Sequence, residues 1–338
     1  MEKVKSFFNR TIIDGLSYMA LGLFSTLIVG LIIETLGQTL NTYFDTSIMI
    51  EIGKLAQSLT GAGVGVAVSY GIGASPLIIF TTAVTGMYGY EQGGAVGSYL
   101  ASVVASELGR FYSGKTKIDI ILSPILTLFI GTCIAKFIAP FIDAFMKELG
   151  SWIQLSTEQQ PLLMGMFVSF LVGITLSSPI SSAALALMLG LSGTAAAAAT
   201  IGGCCHMIGF AVTSYKDNGI SGVIAHGIGT SKLQIPNYLK QPFILIPPVI
   251  ASLIVAPIMT VFWPMENNAA GAGMGSSGLV GQIMTIKTMG SSTEVWLQIA
   301  FFHFLLPAVI NLFVYQILRK YHIIKDGQQT LMIGSAKK

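Results

Sequence analysis

Long apolar segments separated by short polar turns are the feature that most limits how this chain of 338 residues can fold. Their approximate positions are 11–36, 48–66, 67–87, 92–109, 117–146, 161–178, 179–194, 196–214, 241–262 and 297–318. A helix needs about 20 apolar residues to cross a bilayer, and its backbone groups are satisfied within the segment. The pattern therefore predicts an all-α polytopic membrane protein with about ten transmembrane helices, although 179–194 and 196–214 are short for full crossings.

Charge and glycine content support this class. Only 10% of the residues are charged, whereas soluble globular chains carry about 25%. So few charges cannot cover a water-facing surface, which excludes a soluble enzyme and a nucleic-acid-binding chain. Glycine is abundant, with 38 residues, and in an apolar chain this favours closely packed membrane helices or irregular backbone that lines a cavity.

The basic residues predict which loops face the cytoplasm, because cytoplasmic loops carry an excess of Lys and Arg. They gather at the N-terminus and in three later stretches: Lys3, Lys5, Arg10; Arg110, Lys115, Lys117; Lys216, Lys232, Lys240; and Arg319, Lys320, Lys325, Lys337, Lys338. The loops 37–47, 149–160 and 263–270 carry no Lys or Arg. Ten crossings with both termini in the cytoplasm place every basic loop on one side. We therefore expect the loop 263–270 to be external, with Asn267 accessible from outside.

A proline interrupts one apolar stretch between serines, at Ser178, Pro179 and Ser181. Proline removes a backbone donor, and non-helical backbone at membrane depth persists only where protein or a water-filled cavity satisfies it. Interrupted segments of this kind indicate a transporter binding site, so Ser178 and Ser181 are candidate solute ligands. A proline kink or a tight turn between two helices is the alternative.

Two glycine-rich stretches share the pattern Gly-x-Gly-[Ser/Thr]-Ser-x-Leu, at 227–233 and 273–279, and neither is a Walker loop or a dinucleotide fingerprint. They lie on either side of the apolar segment 241–262, which suggests re-entrant loops that approach the membrane midplane from opposite faces. The candidate solute-binding residues here are Gly229, Ser231, Gly275, Ser277 and, just after the second stretch, Gln282. We expect Ser231 and Ser277 to lie close together across one cavity. Two flexible surface loops are the alternative.

Three ionisable residues in apolar surroundings are the remaining candidate solute ligands. An ionisable group within the membrane is costly, so a functional role is the first hypothesis for it. Glu91 either binds solute hydroxyls or lies at an outer interface, and His206 and His226 either contact the solute or satisfy a backbone carbonyl. Adjacent Cys204 and Cys205 are interpreted as small buried residues. We predict no metal site, no cofactor and no catalytic residue, since none of the sequence motifs of an enzyme active site is present.

Several of these strings together resemble the EIIC-like membrane subunits of the phosphotransferase system. The strings are GIGTSKLQIPN, the IPP that follows it, GAGMGSSGLVGQI, and GGAVGSYLAS with GKTKIDIILSP. The resemblance covers about 60 to 320, and the branch that looks most similar contains the perfringolysin O regulator family. It implies a homodimeric sugar-channel subunit of the bacterial cytoplasmic membrane, with about ten membrane helices and re-entrant hairpins, whose C-terminal half binds the substrate.

The resulting expectation has three parts: an N-terminal membrane half for scaffold and dimerisation at 1–115, a C-terminal membrane half with the substrate site at 116–320, and a cytoplasmic tail at 321–338. No soluble domain with a phosphorylated Cys or His is fused here, so a IIB-type subunit would be separate and the chain would not be an enzyme. The leading hypothesis is a permease subunit for a small polar solute, a sugar by resemblance. A membrane regulator or sensor on the same fold, and an ion-coupled secondary transporter, are the alternatives.

Overall fold

The computed structural model describes residues 7–41, 44–157 and 159–331. Over these ranges the chain is helical, and it forms no strand beyond a bridge between Gly193 and Asn267. The all-α class predicted from the apolar segments is confirmed. The chain divides into two compact units, Met1–Met146 and Lys147–Lys338, so the division lies later than the expected boundary at 115/116.

The first unit begins with α1, a continuous helix through Asn9–Asp14, Gly15–Leu23, Phe24–Ile28 and Val29–Leu40. It continues with α2 (Ser47–Ser58), α3 (Thr60–Gly71), α4 (Pro76–Tyr112) and the start of α5 (Asp119–Thr157). Arg10 of α1 donates to both carboxylate oxygens of Glu107 at 2.8 and 2.7 Å. Tyr99 donates its hydroxyl to the carbonyl of Thr11 at 2.6 Å, so α1 is tied to α4 at two levels.

Helix α4 is a hairpin rather than one straight span. Gly94 has φ 58 and ψ −151, a conformation that essentially only glycine adopts, and the chain reverses there. Beside the reversal, a Cβ on Gly89 would lie 2.6 Å from the carbonyl oxygen of Gly97. At the open end the hydroxyls of Ser75 and Ser113 are 2.7 Å apart. The segment 67–87 was expected to be one crossing. It is instead divided between two helices, because α3 ends at Gly71 and α4 begins at Pro76.

In its described residues, 147–157 and 159–331, the second unit contains the end of α5 and nine further helices. These are α6 (Pro161–Ser177), α7 (Ser182–Met188), α8 (Gly193–Thr213), α9 (Tyr215–Ile224 continuing as Ala225–Gly229), α10 (Ile235–Lys240), α11 (Ile246–Phe262), α12 (Ala269–Ala272), α13 (Val280–Met289) and α14 (Thr293–Gln298, Ile299–Leu305 and Leu306–Lys320). Short 3₁₀ turns at Ser231–Gln234, Pro242–Leu245 and Ser277–Leu279 connect them. The segment 179–194 is not a crossing, because α7 has only seven residues.

Helix α8 is the centre of the second unit. Its sequence is rich in alanine and glycine, which lets neighbouring helices approach closely. A Cβ on Gly202 would lie 2.1 Å from the carbonyl oxygen of Ser169 in α6, and Asn311 of α14 donates to the carbonyl of Cys205 at 3.0 Å. The helix is buried along most of its length, so α6 and α14 pack directly around it.

Five helices in the described part of the chain are long and apolar enough to cross a membrane by length and composition. They are Asn9–Gln38, Asp119–Thr157, Gly193–Thr213, Pro242–Phe262 and Thr293–Lys320. The remaining apolar segments are divided into shorter helices, such as α6 and the two arms of α4. Broken helices of this kind are tolerated at membrane depth where surrounding protein satisfies their backbone groups.

The chain after α14 folds back onto the second unit. Ile324 is buried in a cluster with Tyr315 and Leu318, and Gln329 is buried as well. The segment 321–331 is thus anchored to the second unit by two buried side chains, while Tyr321, His322, Lys325 and Asp326 are exposed. Its cytoplasmic location stays a prediction. Residues 332–338 lie outside the described residues.

Candidate functional site

The two glycine-rich loops meet inside the second unit. Ser277 donates its hydroxyl to the carbonyl oxygen of Gly229 at 2.8 Å. Gly275 has φ +55, and a Cβ there would lie 2.7 Å from the carbonyl carbon of Gly203. Gly203 is the central residue of the 21-residue α8, so the loop tips lie beside the middle of this helix. The two loops approach each other as expected, and flexible surface loops are excluded because Ser231 and Ser277 are buried. The re-entrant path of the loops from opposite membrane faces stays a prediction.

The two serines use their hydroxyls in different contacts. Ser231 donates to the carbonyl oxygen of Leu176 in α6, at 3.4 Å, whereas Ser277 donates to the backbone of the first loop. The physical reason is that a buried hydroxyl takes the nearest free acceptor, and the end of α6 supplies carbonyl groups that no longer have a partner within the helix. The expectation that the two serines lie close together across one cavity stays a prediction.

His226 holds the first loop in its conformation. Its Nδ1 lies 3.1 Å from the carbonyl oxygen of Thr230, and its Nε2 lies 3.1 Å from Nε2 of Gln234. A carbonyl only accepts and an amide nitrogen only donates, so the ring is neutral with its proton on Nδ1. Both nitrogens are therefore occupied within the loop, and the alternative in which His226 satisfies a backbone carbonyl is the observed arrangement.

Lys232 connects the first loop to the proline-interrupted stretch. Its ammonium donates to the carbonyl oxygens of Ser178 and, at 2.7 Å, Ile180. Ser178 donates its own hydroxyl to the carbonyl of Thr175 at 2.8 Å, and Ser181 is half-buried beside it. The sequence interpretation used Lys232 only as a marker of membrane topology. The signal it missed is that this lysine lies within the shared glycine-rich pattern itself.

His206 of α8 offers an unused ring nitrogen next to the same stretch. Its Nδ1 lies 2.7 Å from the hydroxyl of Ser177, and Tyr238 donates to the carbonyl of Ser177 at 2.7 Å. The Nε2 atom is buried without a hydrogen-bond partner among the described residues. A buried polar group normally has a partner, so this nitrogen, which packs close to Gly173 of α6, is a candidate group for hydrogen bonding to a ligand.

The second loop presents further unused atoms. Gln282 donates to the sulfur of Cys204 at 3.4 Å and to Nδ1 of His303 at 3.0 Å. Its Oε1, the Nε2 of His303 and the hydroxyl of Ser276 have no partner within the described chain. His303 and Ser276 were not predicted as site residues, because their relation to Gln282 depends on how α13 and α14 pack around α8.

Asn267 anchors the second loop to α8 and is not an exposed loop residue. It is 1% exposed, and its Nδ2, which has two N–H groups, lies 2.8 Å from the hydroxyl of Thr200 and 3.0 Å from both the carbonyl of Gly281 and the hydroxyl of Thr285. The expectation that Asn267 is accessible is therefore wrong, because the amide is used to join the loop to its neighbours. The adjacent Glu266 is exposed.

The predicted site residues fall into two groups. Nine of them lie in the second unit: Ser178, Ser181, His206, His226, Gly229, Ser231, Gly275, Ser277 and Gln282. Glu91 belongs to the first unit and is exposed beside the hairpin reversal at Gly94. Cys204 and Cys205 are buried free thiols, as expected.

The chemistry of the site is that of hydrogen bonding. It combines the serine, glutamine and histidine groups above with one ammonium, and no Asp or Glu of the described chain is buried. Hydroxyl, amide and neutral imidazole groups can both donate and accept, as the hydroxyls of a polyol do. The arrangement therefore suits a solute with many hydroxyl groups.

A family model described as "Phosphotransferase system, EIIC" matches residues 13–331. This match spans both units and includes both glycine-rich loops. No curated protein and no solved structure matches the chain.

Proposed function

Because the chain belongs to the EIIC family of the phosphotransferase system, we propose that it is a permease subunit that binds a sugar in its second unit and moves it across the membrane. The family consists of membrane transport components, and membership implies a sugar substrate and association with other components such as IIB. The observation that carries the assignment to the second unit is the Ser277–Gly229 contact beside the centre of α8.

The unpartnered atoms around this contact support sugar binding. They are His206 Nε2, Ser276 Oγ, Gln282 Oε1 and His303 Nε2. A neutral hydrogen bond contributes about 1 kcal/mol, so loss of any one of these groups should weaken sugar binding about fivefold.

The membrane orientation, the homodimer and the IIB-type partner in this proposal are inferred from the sequence and from the family. The basic residues support termini that both face the cytoplasm of a bacterial cell, and the resemblance supports a homodimer with a separate IIB-type subunit. The EIIC-type permease is preferred over an ion-coupled secondary transporter. Buried carboxylates often form proton and cation pathways, and the described residues include none.

Uptake into proteoliposomes tests the proposal. The full chain is reconstituted and uptake of radiolabelled hexoses and hexosamines is measured with and without phosphorylated partner proteins, and with and without a proton or sodium gradient. We expect saturable uptake of one sugar without a gradient, and a loss of about fivefold in affinity for Gln282→Ala, equivalent to about 1 kcal/mol.

The matched control is Gln154→Ala, because Gln154 is an exposed glutamine of α5. Equal affinity for both variants would contradict the placement of the site. Binding without uptake would favour a sensor, and uptake that requires a gradient would favour an ion-coupled carrier.

A further inference from the structure

Lys232 is a buried basic residue. It is 7% exposed, and its amino group donates to the carbonyl oxygens of Ser178 and Ile180. Burial disfavours the charged form and lowers the pKa of Lys232 to about 7, so the ammonium needs compensation by nearby negative charge.

No carboxylate in the described chain supplies that compensation, because no Asp or Glu is buried there. The described acidic residues of the second unit are exposed or have other partners: Glu148, Asp217, Glu266, Glu294 and Asp326. Asp217, for example, accepts from the backbone amides of Gly327 and Gln329.

The carbonyl groups compensate Lys232 only in part. Ser178 is the C-terminal cap of α6, where the helix dipole provides about half a negative charge. An ammonium has three N–H groups, and the two carbonyls accept two of them. Beyond these two bonds, the ammonium has the capacity to donate to one further acceptor.

Lys232 is close in the chain to the contact between the two loops. It lies in the turn Ser231–Gln234, which begins two residues after Gly229, whose carbonyl Ser277 contacts. The residue before Ser178 is Ser177, whose hydroxyl contacts Nδ1 of His206. The side chains of Lys232 and His206 therefore contact adjacent residues of the same interrupted stretch, and the Nε2 atom of this imidazole has no partner among the described residues.

We propose that Lys232 forms an oxyanion subsite and that the sugar handled by this protein carries a carboxylate or phosphate group. The inference rests on the proposed function and specifies its substrate class. The negative group of the solute supplies the missing counter-charge through a charge-assisted hydrogen bond, which is about twice as strong as a neutral one. The hydroxyls of the same solute occupy the neutral groups of the site.

Paired ligands test this with the unmodified full chain in nanodiscs. Binding of D-glucose, D-glucuronate and D-glucose 6-phosphate is compared by calorimetry, as is binding of the corresponding galactose and mannose sets and of inorganic phosphate alone. We expect an anionic member of one set to bind at least about 10-fold more tightly than its neutral partner. Preference for the uronate identifies a carboxylate on the solute, and preference for the ester identifies a phosphate.

Variants of Lys232 then assign the effect to this side chain. Lys232→Gln keeps N–H donors for the two carbonyls but removes the charge, and we expect it to weaken anionic sugar binding about 100-fold while neutral sugars change less than about threefold. Lys232→Arg retains the charge and should restore most of the affinity. Lys240→Gln, which removes an exposed lysine from α10, is the control and should leave both affinities unchanged.

The binding results distinguish failure of the oxyanion subsite from failure of the proposed permease function. If a neutral sugar binds at least as tightly as its anionic partners, the oxyanion subsite is wrong and the permease proposal stands. If no sugar of either kind binds, both proposals are wrong. Should Lys232→Gln fail to fold, the ligand pairs on the unmodified chain still decide, since they need no variant.

Discussion

Substitution of Gly275 by alanine tests whether the second loop is packed against the centre of α8. The residue has φ +55, where a side chain costs about 1–2 kcal/mol. Its new Cβ would also lie 2.7 Å from the carbonyl carbon of Gly203 and 3.0 Å from the backbone nitrogen of Cys204. Backbone atoms cannot move aside as a flexible side chain does, and overpacking of this kind costs about 1–3 kcal/mol. Together we expect Gly275→Ala to lower the free energy of unfolding by about 2–5 kcal/mol.

Substitutions at two other glycines distinguish the cost of backbone strain from the cost of the steric clash. Gly190 has φ +59 and nothing within 4 Å of a Cβ, so Gly190→Ala introduces the strain alone and should cost about 1–2 kcal/mol. Gly203 is helical, and its Cβ would lie 2.8 Å from Cα of Gly275, so Gly203→Ala introduces the clash without the strain. Because alanine gains about 1 kcal/mol over glycine in a helix, its net cost should be about 0–2 kcal/mol.

The assay is SDS titration of unfolding in mixed micelles, followed by tryptophan fluorescence and combined with sugar binding on the folded fraction. Gly275→Ala should be the most destabilised of the three variants and should lose sugar binding. If it is no less stable than Gly190→Ala, the loop tip is not packed against α8 and the reasoning is refuted.

Three further predictions follow from individual contacts. Ser277→Ala removes the hydrogen bond to the carbonyl of Gly229, leaving a buried acceptor unpaired, and should weaken sugar binding by about 1 kcal/mol in calorimetry. Gln329→Ala removes bonds that hold the C-terminal segment, including one from Gln329 Nε2 to Thr213, and should increase amide hydrogen exchange across 321–331. Cysteine introduced at exposed Glu266, in a chain without its exposed Cys133, should react with an impermeant maleimide added outside whole cells.

Each of these predictions has a matched control and a contradicting result. Ser151→Ala removes an exposed hydroxyl and should leave sugar affinity unchanged; an equal loss at Ser277 and Ser151 would show that the loop contact does not shape the site. Lys325→Ala, which removes an exposed side chain of the same segment, should leave amide exchange nearly unchanged, and equal protection in both variants would mean that Gln329 does not hold the segment. A cysteine at Lys115 should be protected from outside, and labelling there instead of at Glu266 would reverse the proposed orientation.

The all-α membrane class of the fold could be predicted from the sequence alone. Low charge and apolar segments restrict a chain to helices in a bilayer, because only local backbone hydrogen bonding satisfies peptide groups in lipid. Local patterns also located α8 to within a few residues, as 196–214 against Gly193–Thr213, since its length and composition are those of a continuous buried helix.

The two glycine-rich loops were predictable for a similar reason. A repeated Gly-x-Gly pattern in apolar surroundings favours irregular backbone within the protein over a solvated loop, and both loops are buried in the structure. Interrupted helices were harder to predict, because apolar composition runs across the break between α3 and α4. The reversal at Gly94 depends on a backbone conformation that hydropathy does not report.

The partners of individual polar side chains were decided only by tertiary structure. Lys232 lies beside the carbonyls of Ser178 and Ile180, far earlier in the chain, and Asn267 is buried against Thr200 rather than exposed in a loop. Composition shows that such groups need partners, since an unpaired polar group in a buried site is costly. Which partners they find depends on how α6, α8 and the two loops pack, and that packing is a property of the whole second unit rather than of any local pattern.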